Sequence, residues 1–415
     1  MRAIRRAGGR ATALTGIAIA VAGLVAISTP AQADRQGVAA TVRESVLSGV
    51  GCVSVTDCWA VGSSEVNDVT RNYVLHFNGR KWSPVIAPSP GGTASDDTSD
   101  LSAVRCVSAA DCWAVGDFDK SDASLTQVLR WNGRKWSRVA TPDPGGTRHG
   151  DFNDLAGVAC VSAADCWADG DYGHPVGRND VQLNLVLHWN GRHWSQSRAP
   201  NPGGIKAGDV SALAAVRCPS AADCWAVGTA GQVTTSGGTF DNEALHWNGS
   251  KWGTVKVPSP GTPDNGRAES ALNALTCTSG GHCWAVGSDS ATSGSLNESL
   301  HWNGKSWRTV TTADPFGGTD ASNDLIGVSC TADTNCWAVG AVDNDSLNEV
   351  LHWNGHSWLV ASPPDPNGAT GSDNVLTADV CVSAGDCWAV GYTEKGDGPV
   401  ATQILHWAGK KWVVA

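Results

Sequence analysis

One unit recurs seven times along this 415-residue chain: Cys-x5-Cys-Trp-Ala, a polar stretch, a Leu-His-Trp-Asn-Gly-x-x-Trp segment, then a passage rich in Pro, Gly and Asp. Successive first cysteines lie 54, 54, 58, 59, 53 and 51 residues apart. A period of this size belongs to solenoids and propellers, in which each copy buries its apolar faces only against its neighbours.

All fourteen cysteines belong to the unit, as Cys52/Cys58, Cys106/Cys112, Cys160/Cys166, Cys218/Cys224, Cys277/Cys283, Cys330/Cys336 and Cys381/Cys387. Five intervening residues exceed the roughly two to four that zinc clips favour, and no thiol is left over to act as a nucleophile. The even count predicts one disulfide per copy, placed on the short hairpin between first and second strands. Closing so short a loop removes little chain entropy, about 2 kcal/mol per bridge.

Each copy reads as strands. In the second, Val104-Arg-Cys106 alternates, Cys112 to Gly116 is short and β-prone, and Val128 to Trp131 and Lys135 to Val139 are two more short strands. Asn132-Gly133 between the last two is the dipeptide a tight type I′ hairpin prefers, because both residues must take positive φ. No copy contains an amphipathic run of helical length. Four antiparallel strands in each of seven copies predict an all-β, seven-bladed β-propeller with one disulfide in each blade. The expected blades cover about 46–99, 100–153, 154–209, 210–270, 271–323, 324–374 and 375–415. Each blade looks complete, so closure of the ring is expected from blade-to-blade packing, helped by residues 35–45.

Residues 1–33 read as an export leader. Arg2, Arg5, Arg6 and Arg10 make a basic start, an apolar run follows from Ala13 to Ile27, and Ala31-Gln32-Ala33 is a small-x-small cleavage site. The run, about 15 residues, is shorter than the roughly 20 that cross a bilayer, and no other segment is a candidate span. Arg5-Arg6 resembles a bacterial twin-arginine signal without the apolar residues that usually follow. The expected product, from Asp34, is a secreted extracellular chain forming one propeller over 34–415.

The unit resembles the kelch repeat, with Ala103-Val104, Cys112 to Gly116, Trp131 and Trp136 in the positions of its strands, turn glycine and aromatics. The resemblance spans the mature chain and implies a propeller. Two departures stand beside it: the double glycine of kelch is single here, as at Gly62 and Gly116, and kelch carries no cysteine pair. Gly133-x-x-Trp136 also matches the end of the Asp-box of sialidase propellers, but Trp131 stands where that motif has its aspartate.

Twenty tryptophans against five Phe and three Tyr carry most of the aromatic mass. They fill three slots per copy, with Phe77 the one exception. A side chain required identically in every blade is expected to wedge blades together, although Trp also stacks on sugar rings. His76, His188, His246, His301, His352 and His406 precede the third-strand aromatic, with Arg130 in the second copy. Spread one per blade, they are expected to hydrogen-bond rather than to converge on a metal.

A binding site is expected on the face opposite the short disulfide hairpins, where the copies stop agreeing. That face takes the loops Asp117–Thr126, Asp171–Asn184 and Thr229–Asn242 and the passages Pro88–Asp100, Pro142–Asp154 and Asp314–Asp324. Its candidate binding residues are Asn72, Asn184, Asn242, Asn297 and Asn348, which open the third strand, and Glu243, Glu298 and Glu349, which follow three of them. Acids and amides repeated around a rim suit sugar hydroxyls, or calcium, although no EF-hand spacing occurs and no cofactor is called for.

The chain has 29 Lys+Arg against 40 Asp+Glu, and loss of the leader's four arginines shifts the net charge from −11 to −15. That balance argues against nucleic acid or an anionic membrane as the main partner. A galactose-oxidase-like site needs a Tyr joined to a Cys, and every Cys is expected to be paired. A sialidase-like arginine triad has Arg71, Arg148, Arg178 and Arg267 to draw on. The leading expectation is a non-catalytic, lectin-like recognition propeller, or the recognition subunit of an extracellular assembly, whose partner is a glycan or an extracellular protein. The alternative is an extracellular glycoside-active enzyme.

Overall fold

The structure, a computed structural model, describes residues 42–415 apart from 93–96, 121, 177–178, 235–236, 261–267, 279–280, 292–293, 316–321, 343–345, 369–370 and 397. The expected leader lies outside these residues, as do Arg178 and Arg267. No helix occurs among the described residues. Twenty-eight strands follow one another in seven groups of four, each group an antiparallel meander in chain order. The protein is a seven-bladed β-propeller.

The first strands are innermost and pack on one another around the axis: Val42–Ser54, Ser99–Ser108, Phe152–Ser162, Asp209–Ser220, Ala268–Cys277, Asn323–Ala332 and Ser372–Ser383. Each carries a one-residue bulge opposite the glycine that ends the Cys-Trp-Ala segment, as between Leu101 and Ala103 opposite Gly116. There is no room for a side chain there: a Cβ on Gly116 would lie 2.0 Å from the Asp100 carbonyl oxygen. This close approach accounts for the repeated glycine.

The seven disulfides staple the first strand to the second, with Cα atoms 3.9–4.0 Å apart. Among the described residues no cysteine is free. The expected one disulfide per blade is present, and the pairs do more than clip a short hairpin. The second cysteine of every pair is part of the core: Cys58, Cys112, Cys166, Cys224, Cys283, Cys336 and Cys387 are at most 1% exposed. Each lies in an apolar cluster shared by two blades, while its partner on the first strand is only half-buried against that cluster. The reason is strand position. The second strand is covered on both faces by neighbouring blades, so its sulfur is packed as a small apolar group as well as bonded.

The tryptophan after each second cysteine inserts between two aromatics of the following blade. Trp113, for example, lies 4.9 Å from Trp189 and 5.4 Å edge-on from Trp194. The last blade repeats the arrangement on the first, with Trp388 against Phe77 and Trp82. The core is thus a ring of two-blade layers rather than one central mass.

Among the described residues the ring closes without a strand borrowed from the other terminus. Thr377, the bulged residue of the last blade's first strand, donates to the Leu47 carbonyl at 2.6 Å, and Ser45 N–H donates to the Val400 carbonyl at 2.9 Å. Ser45 belongs to the segment expected to help closure.

Two expectations are corrected. The Asn-Gly hairpins are not type I′ turns: Gly133 has φ +83°, but Asn132 is not among the residues with positive φ. The loop is longer by two residues, closing at Trp131↔Trp136, and Asn132 Oδ1 accepts from the N–H groups of Arg134 and Lys135. The asparagine is there for its side-chain acceptor. The stretches Asp117–Thr126, Asp171–Asn184 and Thr229–Asn242 are mostly hairpin rather than irregular loop. The ladder continues to Lys120↔Ala123, Val176↔Asn179 and Thr234↔Gly237, because backbone pairing persists where apolar alternation stops.

Candidate functional site

The face bearing the disulfide hairpins is ordered by a repeated polar contact. The histidine before the third-strand aromatic stacks on its own blade's second-strand tryptophan, as His188 does on Trp167 at 4.2 Å. In four blades its Nε2 meets the acid that precedes the second cysteine, as in His188–Asp165 at 2.9 Å and His246–Asp223 at 2.8 Å, and in the sixth blade His352 meets Asn335 at that position. In the second blade Arg130 replaces the histidine, pairs with Asp111 at 2.8 Å and lies over Trp113. The histidines do not converge, and burial lowers the pKa of His301 and His352. Among the described residues no group of three or more His, Cys, Asp or Glu is arranged to hold a metal ion.

The expected binding residues are placed beneath the opposite face, not on it. Asn184, Asn242, Asn297, Asn348, Glu243, Glu298 and Glu349 are all buried, and Asn72 is half-buried. Each asparagine reaches across to the next blade. Asn72 donates to Gln127, Asn184 to Glu243, Asn242 to Glu298 at 2.7 Å, Asn297 to Glu349, and Asn348 to Gln403 at 3.0 Å. The same amides also hold the passage leaving their own blade, through the carbonyls of Pro88, Pro200, Pro258, Ala313 and Pro364. Their polar ends are thus committed between blades, where a ligand on the surface cannot reach them.

The sequence carried a sign of this pairing that a blade-by-blade reading misses. Asparagine is replaced by threonine at Thr126 and Thr402, and the facing positions in the following blades are then Leu185 and Tyr73, neither amide nor acid. The pattern becomes visible only when one copy is compared with the next.

The two glutamine blades show what the three glutamate blades must do. Gln127 Nε2 donates to Asn72 Oδ1 and to the Asp100 and Asp117 carbonyls, each at 3.1 Å. Gln403 does the same toward Asn348, Val375 and Tyr392. A glutamate there puts an oxygen among acceptors, and Oε2 of Glu243, Glu298 and Glu349 finds no donor, nor do the Oδ1 atoms of Asn184, Asn242 and Asn297. One proton on Oε2 supplies the missing donor. Burial pushes all three acids up to about 8, so they are carboxylic acids at neutral pH.

Two further departures from sevenfold repetition are acids buried between blades. Asp169 stands where the other six blades have valine, and Asp379 where they have Val or Leu. Burial raises both acids to about 7, and burial together with Arg105 lowers Arg217 to about 10. Arg217, on the fourth blade, is shifted as well by charges on the second, third and seventh blades, Arg105 lowering it and Asp169 and Asp379 raising it.

Open grooves occur at the outer rim between blades. One, of about 310 Å³, lies between blades six and seven and is walled by Trp337, His352, Leu359, Val360, Trp407 and Lys410. Its neighbour, of about 410 Å³, lies between blades five and six, from Val310–Ala313 to His356–Trp358. His356 and Lys410 occupy the same position in successive copies, so the grooves are related by the repeat. Aromatic and aliphatic walls with a few polar groups make a surface that a sugar ring can lie on. Of the candidate arginines on the opposite face, Arg71 is half-buried and Arg148 is exposed.

No family profile and no curated protein matches the chain. Among solved structures it is similar to an ulvan lyase of a polysaccharide lyase family (TM-score 0.57, 10% identity, 90% of this chain and 97% of that one). A second ulvan lyase structure, bound to -[GlcA(1-4)Rha3S]-, superposes with a TM-score of 0.53 at 9% identity over 87% of this chain and 91% of that one. The BP39L lectin from Burkholderia pseudomallei does so with a TM-score of 0.50 at 12% identity over 90% and 99%. At these identities the likeness is one of fold, and the chain stands among propellers by its architecture.

Proposed function

We propose that the protein is a secreted, carbohydrate-binding propeller that recognises glycans through the grooves between blades at its outer rim. The observation that supports this most directly is the groove between blades six and seven, where Trp407 and the exposed Leu359 and Val360 flank Lys410. Apolar faces that a sugar's C–H groups can cover stand beside a donor for its hydroxyls. Seven disulfides suit an oxidising, extracellular setting. That one propeller of similar fold is a lectin and that two structures of similar fold are of a polysaccharide lyase agrees with the reading. The kelch-like order of strands and aromatics belongs to the same proposal. Repeated shallow grooves suit weak binding made useful by multiplicity.

The test is a glycan array followed by calorimetry, with Leu359→Ser as the groove variant, since that side chain is about half exposed and its loss leaves the core intact. Binding of any glycan that Leu359→Ser weakens several-fold supports the reading. No binding across the array, or binding untouched by the substitution, refutes it.

A second reading, chemical action on a glycan, has one observation in its favour. Asp289 is raised to about 6 by burial and by Asp314 beside it, the range a general acid uses. Hydrolysis or elimination on a glycoside panel, abolished by Asp289→Asn, would establish it. A panel without turnover removes it.

A further inference from the structure

The hairpin between third and fourth strands has the form Asn-Gly-x-x-Trp, or Ala-Gly in the last copy, and its two x positions face solvent in all but one instance. Read around the ring they are Arg80-Lys81, Arg134-Lys135, Arg192-His193, Ser250-Lys251, Lys305-Ser306, His356-Ser357 and Lys410-Lys411. Nine of the fourteen are Lys or Arg, two are His, three are Ser, and none is acidic, in a chain with 40 acids against 29 Lys+Arg. Exposed turns need only be polar to be stable, and in so acidic a chain unselected turns would carry Asp and Glu. The charge is therefore a property of the surface, not of the turn.

The nine cations have no ion pair among the described residues. The acids nearest in the fold do not neutralise them. Asp57, Asp111, Asp165, Asp223 and Asp386 sit on the inner hairpins of the same face, each turned to its own His or Arg. The opposite face is the acidic one, with Asp68, Asp97, Asp143, Asp151, Asp209 and Asp365 on its turns and passages. The propeller is thus polarised, and its basic margin coincides with the grooves: His356 and Lys410 belong both to the ring of hairpins and to the groove walls.

We infer that the rim binds an acidic polysaccharide, one bearing uronate carboxylates or sulfate esters, laid along successive grooves with its acid groups on the hairpin cations. This rests on the glycan-binding reading and names the class of glycan. Charge complementarity selects the occupant: the cations stand in separate groups, two on each of three blades and one on each of three others, with His356 in the sixth and apolar grooves on either side of that blade, which matches a chain whose acid groups are interrupted by sugar faces. A nucleic acid duplex presents an unbroken line of charge, and the acidic body of the protein repels it.

The experiment measures binding of the full chain to immobilised polygalacturonate, dextran sulfate, neutral dextran and duplex DNA at low and moderate salt. The variants are Arg134→Ser/Lys135→Ser, Lys410→Ser/Lys411→Ser, and Lys206→Ser on the other face as control. Binding to the two acidic polymers, weakened by salt, lowered about tenfold by either double substitution and unchanged by Lys206→Ser, is the expected result. Equal binding of parent and double variants overturns the inference, as does a preference for duplex DNA. Neutral dextran bound as well as the acidic polymers, with loss in Leu359→Ser, overturns the charge inference alone and leaves the glycan reading standing. No binding to any saccharide removes both.

Discussion

Replacing Glu298 by glutamine is expected to stabilise the protein at neutral pH, in proportion to the protons that the glutamic acid must hold. Glu298 is 1% exposed, accepts from Asn242 at 2.7 Å, and has its other oxygen among acceptors. Its carboxyl is raised from 4.5 to about 8, chiefly by burial. Between those values the fold holds a proton that the unfolded chain has released, so stability falls as pH rises through this window and levels off above about 8. At about 1.4 kcal/mol per pH unit, the cost at pH 7 is about 3 kcal/mol for this one residue. Glutamine keeps the shape and carries its donor at every pH, as Gln127 and Gln403 already do in their blades. Denaturant unfolding of parent and Glu298→Gln across pH 4.5 to 8 should show almost no difference at the acid end, a gain of about 3 kcal/mol at pH 7 and a somewhat larger one at pH 8. The inverse substitution, Gln403→Glu, should import the same pH dependence into the last blade. A Glu298→Gln protein no more stable than its parent at pH 8 would mean that the carboxylate is ionised and well held, and the reasoning would fail.

Three other outcomes follow from the packing. Trp225→Ala removes the wedge between the fourth and fifth blades, where the ring meets Trp302 at 4.5 Å and Trp307 at 5.5 Å, and should cost about 3–5 kcal/mol by thermal or denaturant unfolding. Gly116→Ala puts a methyl group against the Asp100 carbonyl and should destabilise by about 2 kcal/mol or more, whereas Gly253→Ala, with open space around its Cβ, should stay within about 0.5 kcal/mol. Cys160→Ala/Cys166→Ala opens one staple and removes a buried sulfur, and should cost about 2–3 kcal/mol, while full reduction should lower the melting temperature far more than that single loss.

What could be read from the sequence was whatever repeats within a copy. Strand order, the positions of the Asn-Gly hairpins, the cysteine staples and the count of seven all rest on contacts between residues near in the chain, and alternation and turn chemistry report such contacts directly. The wedge role of the tryptophans was legible for a related reason, since a residue required in every copy has to serve the joint between copies. The candidate site was less legible. Asn242 and Glu298 lie 56 residues apart, and only the juxtaposition of neighbouring blades turns an apparent row of ligand groups into a buried latch. The burial of the second cysteines, such as Cys224 and Cys336, has the same origin, because the covering side chains come from another copy. So do the seam, where Thr377 meets Leu47 across nearly the whole chain, and the grooves, which no single blade contains. Local backbone geometry and periodicity determined the blades. Tertiary structure decided which polar groups were shut between them and which, like the hairpin cations, were left facing solvent, because burial at a joint depends on two copies at once.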